Sequence, residues 1–538
     1  MTMHITHVHI DGFKSLIDFD LTLNEKLNVI VGDNETGKTS VLEAINLVLT
    51  SQYDGRPIAY TIDPYLFNAT KVAEYFAHLR SGKNAAPPQI LVEAYFNDDG
   101  GDPALTRLKG RNNTKNEDCP GLKLSITVRK DHVDELKEYA KDDSNPAVLP
   151  VEFYEVSWRS FADNGVTPRS LSFRAKTIDT SLPRAYRGPN KYVAQLVDDV
   201  LTEQQRRDLS LAYKKLRHGF AQEPGVTTIN EHLEKQGGPA TNKQLTVQVD
   251  ISSRSRWDSS ITAHLDDLPF DCAGKGEQCR VQMRLAIADS EQSRVLLIEE
   301  PENHLSHSNL NILMDDIGRD CADRQVVVTT HSAFVLNKLG IDNLRFISHK
   351  GQTALLTDIP PDTKDYFMKL PGYDTLRLIL SRRCILVEGP SDELIVQRAY
   401  KNKHGRGPLE DGVDVISVRG LAFKRFLEIA AVLKLDVCVV TDNDGDVSAL
   451  ESKYERYING DCPTIRILFD KDEGFPTLEP QLLKANSLAS LNKILGKSYS
   501  DDDALLVYMR NNKTDCALKL FEATEDWEAP GYITDAIK

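Results

Sequence analysis

The sequence predicts an α/β protein, a P-loop domain with a helical insertion followed by a second domain built on a parallel sheet, and three observations carry that prediction. A glycine-rich loop, GDNETGKT, follows the apolar run LNVIV and opens a helix-spaced stretch. A strand-and-helix alternation from RCILVEG to PTIRILF fills the last third, as parallel strands with crossover helices require. Between them, residues 186–237 are rich in charge and helix formers and carry no strand signal. The expected organisation is residues 1–185 and 238–365 as two parts of one domain, 186–237 as a helical insertion, and 366–538 as a second domain.

In chain order, HITHVHI, DFDLTL and KLNVIVG read as strands, and the apolar spacing after Thr39 is helical. QILVEAYF and LKLSITVRK alternate as strands do. The insertion closes at the breaker KQGGPATNKQ, after which QLTVQVDISS resumes a strand pattern. GKGEQCRVQMRLAIA reads as a helix, and RVLLIEE and RQVVVTTH read as buried strands. TDIPPDTKDYFMKLPGYD, with three prolines, marks a domain boundary. Beyond it come RCILVEG, a helix from Ser391, VDVISVRG, a helix from about Leu421, LDVCVVTD and PTIRILF.

At 538 residues the chain has room for about two to four domains. Its 41% hydrophobic and 27% charged residues are ordinary for a soluble protein, and no long apolar run predicts a membrane span. MTMHITHVHIDGF lacks the charged leader and apolar core of a signal peptide. The eight cysteines are scattered without a CxxC pair, so their spacing predicts neither zinc ligation nor a disulfide framework, and a cytoplasmic setting is expected. A net charge of −15 argues against indiscriminate coating of nucleic acid but leaves room for a local basic groove.

The loop Gly32, Asp33, Asn34, Glu35, Thr36, Gly37, Lys38, Thr39 fits GxxxxGK(S/T), with Ser40 next in the helix. Backbone N–H groups there cradle phosphates, Lys38 meets the β/γ-phosphates of ATP, and Thr39 offers its hydroxyl to Mg²⁺. VLLIEEPENHL ends an apolar strand in two carboxylates. Glu299 is expected in the magnesium shell, and Glu300 is expected to polarise the attacking water. VVVTTHS puts His331 at the tip of a following strand.

The stretch DVCVVTDNDGD runs a buried strand into Asp442, Asp444 and Asp446. Asp442 and Asp444, two residues apart, are expected to face one way. RCILVEGPSDELIV delivers Glu388 at a strand end and Asp392 in the first turn of the next helix, where the helix dipole favours a carboxylate. Carboxyl ends of neighbouring parallel strands share one crevice. Carboxylates gathered there repel unless divalent cations sit among them, and two ions about 3.5–4 Å apart serve in-line attack on a phosphodiester. A calcium loop starting at Asp442 needs glutamate at its twelfth position, where Lys453 stands, so that reading is disfavoured.

The order of P-loop, helical insertion, AGKGEQCR turn, acidic strand and strand-end histidine, with the opening IDGFKSLIDFDLTL, resembles ATPase heads of the ABC/SMC/RecF class. In such heads the glycine turn of one subunit completes the ATP site of another, which implies dimerisation. Gly274 and Lys275 stand where that class usually has serine before its glycines, and Glu299 stands for the usual aspartate. VEGPSDE and TDNDGD, about fifty residues apart, resemble the Toprim domain of topoisomerases, primases and certain nucleases.

With Thr477 and Glu479 in FPTLEPQLL and Lys513 in NNKTDCALKLFE, the whole resembles the OLD (overcoming lysogenization defect) family. These are ATP-dependent endonucleases of bacteria and phages, and they include the Gabija anti-phage nuclease subunit. The resemblance implies metal ligands Glu388, Asp392, Asp442, Asp444 and Glu479, with Thr477 assisting and Lys513 near the scissile phosphate. Asp392 replaces the glutamate of many relatives, which shifts the expected preference toward Mn²⁺ over Mg²⁺. Asp446 has no family role and is expected to shape the turn or support the site from behind.

These residues together predict an ATP-binding, divalent-metal-dependent DNA endonuclease of anti-phage defence. It is expected to be a homo-dimer or larger homo-oligomer built through 186–237, with room for a helicase-like partner. Arg254, Arg256, Arg382, Arg383, Lys424 and Arg425 are the candidate DNA contacts. The alternative is a RecF/SMC-like ATP-driven DNA clamp or repair scaffold without nuclease activity. A primase lacks its zinc-ligand cysteine cluster here, and no module bearing a topoisomerase tyrosine is recognisable.

Overall fold

The computed structural model describes residues 3–538 except 33–35, 98–102, 169, 172, 180–200, 237–263, 279, 282–292, 304, 321–323, 348–352, 356–358, 370–373, 419–422 and 461. Asp33, Asn34, Glu35, Arg254 and Arg256 therefore lie outside the described residues. Contacts group 1–177, 293–302 and 314–538 into one unit, and 178–292 with 303–313 into another.

In the first unit, an antiparallel sheet runs Phe19–Thr22, Ile5–Asp11, Ile90–Phe96, Cys119–Val128, with Tyr154–Ser160 also paired to Cys119–Val128. The alternation read in HITHVHI sends Val8 and Ile10 into the core and leaves His7 and His9 on the other face. A second sheet orders Ser293–Glu299, Gln325–Thr329, Leu27–Gly32 and Leu344–Ile347 in parallel. Its central strands are buried along their length with apolar middles, Val29–Val31 and Val326–Val328, because both faces are covered. The Lys38–Thr50 helix buries Val41, Leu42, Ile45, Val48 and Leu49 against it, the face that a helical period supplies.

The predicted C-terminal alternation forms a parallel four-stranded sheet, Val413–Ser417, Arg383–Val387, Asp436–Val440, Ile465–Leu468. Helices Pro390–His404 and Lys513–Glu522 share a core with it through Ile385, Val387, Ile395, Val440, Leu482 and Leu520. The 357–374 stretch carries the helix Pro361–Lys369, whose proline occupies the first turn, where a missing N–H costs nothing. Lys364 of that helix pairs with Asp342 at 2.6 Å, and Asp362 pairs with Arg425 at 2.5 Å.

In the second unit, the described part of the insertion is two helices, Glu203–Ala221 and Pro224–Gln236. Thr202 and Gln205 cap the first reciprocally, and Pro224 begins the second. Leu209, Leu211, Leu216, Phe220 and Ile229 are exposed on them. Among the described residues no helix is long and apolar enough to cross a membrane. Cys384, Cys438 and Cys516 are buried free thiols, behaving as small hydrophobes.

Candidate active site

The P-loop turns on Gly37, whose φ of 92° is left-handed. A Cβ there would stand 2.9 Å from Ser15 Oγ and Leu16 Cδ2, so glycine is required. Lys38, buried, donates to the Gly32 carbonyl at 2.9 Å. The Thr39 hydroxyl donates to Glu299, joining the loop to the end of the Ser293–Glu299 strand. A hydroxyl and a carboxylate turned to each other are the donor pair that a nucleotide-bound Mg²⁺ takes, so these residues fit the ion. Glu300 (φ 42°) lies 3.1 Å from His331 Nε2. Gly32, Thr36, Gly37, Lys38, Thr39, Ser40, Glu299, Glu300 and His331 thus converge at one edge of the second sheet.

Glu302 went unassigned in the sequence reading. Its Oε1 accepts from the Thr330 hydroxyl at 2.7 Å and the His331 N–H at 2.8 Å, fixing the turn that carries His331. The signal was a third acid in EEPE. The AGKGEQCR turn spends its glutamine internally: Gln278 Nε2 donates to the Phe270 and Ala273 carbonyls, each at 2.7 Å.

In the C-terminal sheet, Val387 and Val440 are direct parallel neighbours, so Glu388 and the chain beyond Val440 leave the sheet side by side. The Thr441 hydroxyl donates to Glu388 Oε1 at 2.6 Å, and the Asp442 N–H donates to the same oxygen at 3.0 Å. Asp392 accepts from the Gly389 N–H at 3.1 Å in the first turn of its helix. Glu479, buried in the first turn of Leu478–Ala485, accepts from Thr477 at 3.0 Å and pairs with Lys513 at 3.2 Å.

Burial first, and then the charges of Asp392, Glu388, Glu479 and Asp444, push the Asp442 carboxyl up to about 8. Burial and then Glu388 raise Asp392 to about 7. Burial leads both shifts, and the neighbouring carboxylates add to them. Yet among the described residues no three of these carboxylates bring oxygens within 4.8 Å of one another; only His9, Asp18 and Asp20 do so. Glu479 is buried, Glu388, Asp392 and Asp442 are half-buried and Asp444 is exposed, and an all-oxygen donor set of this charge fits divalent cations.

The sequence predicts that Asp442 and Asp444 face one way by strand alternation, and the structure corrects this. The strand ends at Val440, and Asp444 takes a left-handed φ of 50° in a turn continued by Gly445. Asn443 locks that turn, donating to the Asp470 and Asp472 carbonyls at 2.8 and 3.0 Å and accepting from the Gly445 N–H at 2.9 Å. Asp446 caps the next helix through the Ala449 N–H at 2.9 Å, a turn-forming role. Tyr532 was missed. It is buried on the Gly531–Ala536 helix, where desolvation and then Asp442, Asp392 and Glu388 hold its phenol well above the ordinary value, hence protonated. No motif announced it.

Of the basic candidates, Arg383 donates to the Ala536 carbonyl at 2.7 Å and Arg425 holds Asp362, so both are occupied internally. Arg382 and Lys424 are exposed.

Residues 379–444 match the family model "Overcoming lysogenization defect protein-like, TOPRIM domain", and residues 7–155 match an AAA domain. The chain joins AAA ATPase domains to an OLD-like Toprim domain, the make-up of the OLD family. A further match, over 265–337, is to "AAA domain, putative AbiEii toxin, Type IV TA system". These OLD-type domains use nucleotide and divalent metal in general. A 43-residue segment is 46% identical to the DNA replication and repair protein RecF of Shewanella loihica, covering 8% of this chain and 12% of that one. The SMC head domain from Thermotoga maritima is similar at TM-score 0.31 and 12% identity, over 66% of this chain and 98% of that one. A RecF–ATP structure of the RecFOR pathway is similar at 0.34 and 12%, again over 66% and 98%.

Proposed function

We propose that this protein is an ATP-binding, divalent-metal-dependent DNA endonuclease of anti-phage defence. One observation carries the reading: carboxylates from three separate chain segments come together, Glu388 accepting from the Asp442 N–H and, with Asp444 and Glu479, adding charge to the burial that raises the carboxyls of Asp392 and Asp442. A fold does not gather buried anions for stability, since desolvation and repulsion both oppose it.

Mg²⁺ or Mn²⁺ held by Glu388, Asp392, Asp442, Asp444 and Glu479 would supply Lewis-acid polarisation of the phosphate and an activated water. Thr441 and Gly389 hold Glu388 and Asp392 in fixed orientation, and Thr477 does the same for Glu479. Water attacks phosphorus in line and gives its proton to a carboxylate of the set. Lys513, half-exposed beside Glu479, neutralises charge developing on the leaving oxygen. In the ATPase head, Lys38 and Thr39 bind the nucleotide phosphates and its ion, while Glu300, oriented by His331, positions the hydrolytic water. We further assign Arg382 and Lys424 to DNA backbone contact, and the exposed apolar side chains of Glu203–Ala221 to homo-dimerisation. A helicase-like partner belongs to the same proposal.

The test is incubation of the full chain with supercoiled plasmid and Mg²⁺ or Mn²⁺, with and without ATP. Nicking by wild type and Lys38→Ala, but not by Asp442→Ala, supports the assignment. No cutting by wild type under any metal or nucleotide condition overturns it and leaves the clamp reading.

A further inference from the structure

We propose that His9, Asp18 and Asp20 form a zinc-type metal site on the antiparallel sheet, separate from the acidic crevice, with His7 hydrogen-bonded to Asp20 beside it. His7 and His9, two residues apart on the Ile5–Asp11 strand, project from one face. The neighbouring Phe19–Thr22 strand sets Asp20 directly opposite His9 and Thr22 opposite His7. Asp20 Oδ1 consequently lies 2.5 Å from His7 Nε2 and 3.3 Å from His9 Nδ1. Asp18 closes the group, with donor atoms of His9, Asp18 and Asp20 all within 4.8 Å of one another. Its left-handed φ of 44° is stabilised by its N–H donating to Asp11 Oδ1 at 3.0 Å.

A sheet needs no such convergence. An imidazole nitrogen and two carboxylates whose donor atoms lie this close together are a geometry that one cation satisfies at once, while His7 holds Asp20 by a hydrogen bond. The imidazoles lie deep, at 12% and 6% side-chain exposure, while Asp20 is 49% exposed, so an ion has an entry path from solvent. One imidazole with two carboxylates neutralises a dication and suits tetrahedral Zn²⁺ with one position left for solvent; Mg²⁺, which prefers oxygen ligands throughout, fits poorly. Residues 12–18 link the two strands, and Ser15 and Leu16 of that turn abut Gly37 of the P-loop. An ion here therefore ties together both ends of the turn that lies against the phosphate-binding loop.

Full-length protein carrying Glu388→Gln and Asp442→Asn, which silences the acidic crevice, is titrated with Co²⁺ and then Zn²⁺. About one Co²⁺ per chain should bind with the visible bands of a tetrahedral site and be displaced by Zn²⁺. Asp20→Asn keeps the shape and a hydrogen-bond acceptor, and adding His9→Asn removes a second ligand; unchanged nucleotide binding checks that both variants are folded. Loss of the bands in either variant is the expected result. Absence of the bands before these substitutions, or their full persistence in the double variant, overturns the site.

Discussion

Thr441 donates its hydroxyl to Oε1 of Glu388 at 2.6 Å, joining the ends of two adjacent parallel strands. The Asp442 N–H adds a second donor to that oxygen at 3.0 Å. Glu388 is thus held by one oxygen, which leaves the other for a cation. Thr441→Val should cut cleavage roughly 10–100-fold, as loss of a ligand-orienting partner does, and cost about 1 kcal/mol of stability. Thr441→Ser should retain most activity. Wild-type rates in Thr441→Val plasmid assays would exclude the orienting role.

Stripped of metal, the acidic set should make stability fall as pH rises. The folded-state values of Asp392 and Asp442, about 7 and about 8, lie above the ordinary 3.8. Their protonated forms therefore favour the fold below that ordinary value, and this contribution is lost as pH rises through the folded-state values. In chelator, Tm should drop by roughly 2–4 °C between about pH 5 and about pH 8, corresponding to ~1–2 kcal/mol. Asp442→Asn or added Mg²⁺ should flatten the slope; identical slopes in thermal melts of wild type and variant would remove its electrostatic cause.

Lys513 sits 3.2 Å from Glu479 and is 52% exposed, a position from which it can meet a phosphodiester. Lys513→Ala should lower the cleavage rate by roughly 10²–10³-fold, the scale of removing one preorganised charge at a reacting group. DNA affinity measured by anisotropy should change far less. A loss confined to affinity would make Lys513 a docking residue.

Asp446 and Asp444 are both aspartates of DNDGD with different work. Asp446→Ala should cost about 1 kcal/mol through the lost helix cap while cleavage stays within a few-fold of wild type. Asp444→Ala should abolish cleavage with little change in Tm. The reverse pattern in paired melts and plasmid assays would exchange their roles.

Glu300→Gln should keep nucleotide binding and lose turnover by roughly 10²-fold or more, because the charge facing His331 is removed without loss of shape. Unchanged phosphate release would shift that role to another residue.

The strand–helix alternation of the C-terminal sheet was legible because its strands are short apolar-rich runs, two of which end in an acid, as in VEG and VVTD. The P-loop was legible for the same reason, glycine and lysine at fixed spacing after such a run. Tertiary partners of small polar residues were not. Thr441, Asn443 and Glu302 act through hydrogen bonds to groups 27 to 53 residues away that no periodicity encodes. Tyr532 reaches the acidic set only because the last helix packs back on the Asp436–Val440 strand. His7 and His9 read as polar positions of an alternating strand, and Asp20 becomes their neighbour only through antiparallel register. The turn at Asp444 escaped the expectation of alternation because Gly445 and the left-handed aspartate end the strand early.

Calorimetric titration of the full-length protein with Mg²⁺ at neutral pH tests the central claim most directly. Saturable uptake in wild type that disappears in both Asp442→Asn and Glu388→Gln is the predicted result. Equal uptake in all three proteins would mean that no cation neutralises these carboxylates, and the proposed cutting chemistry would be wrong.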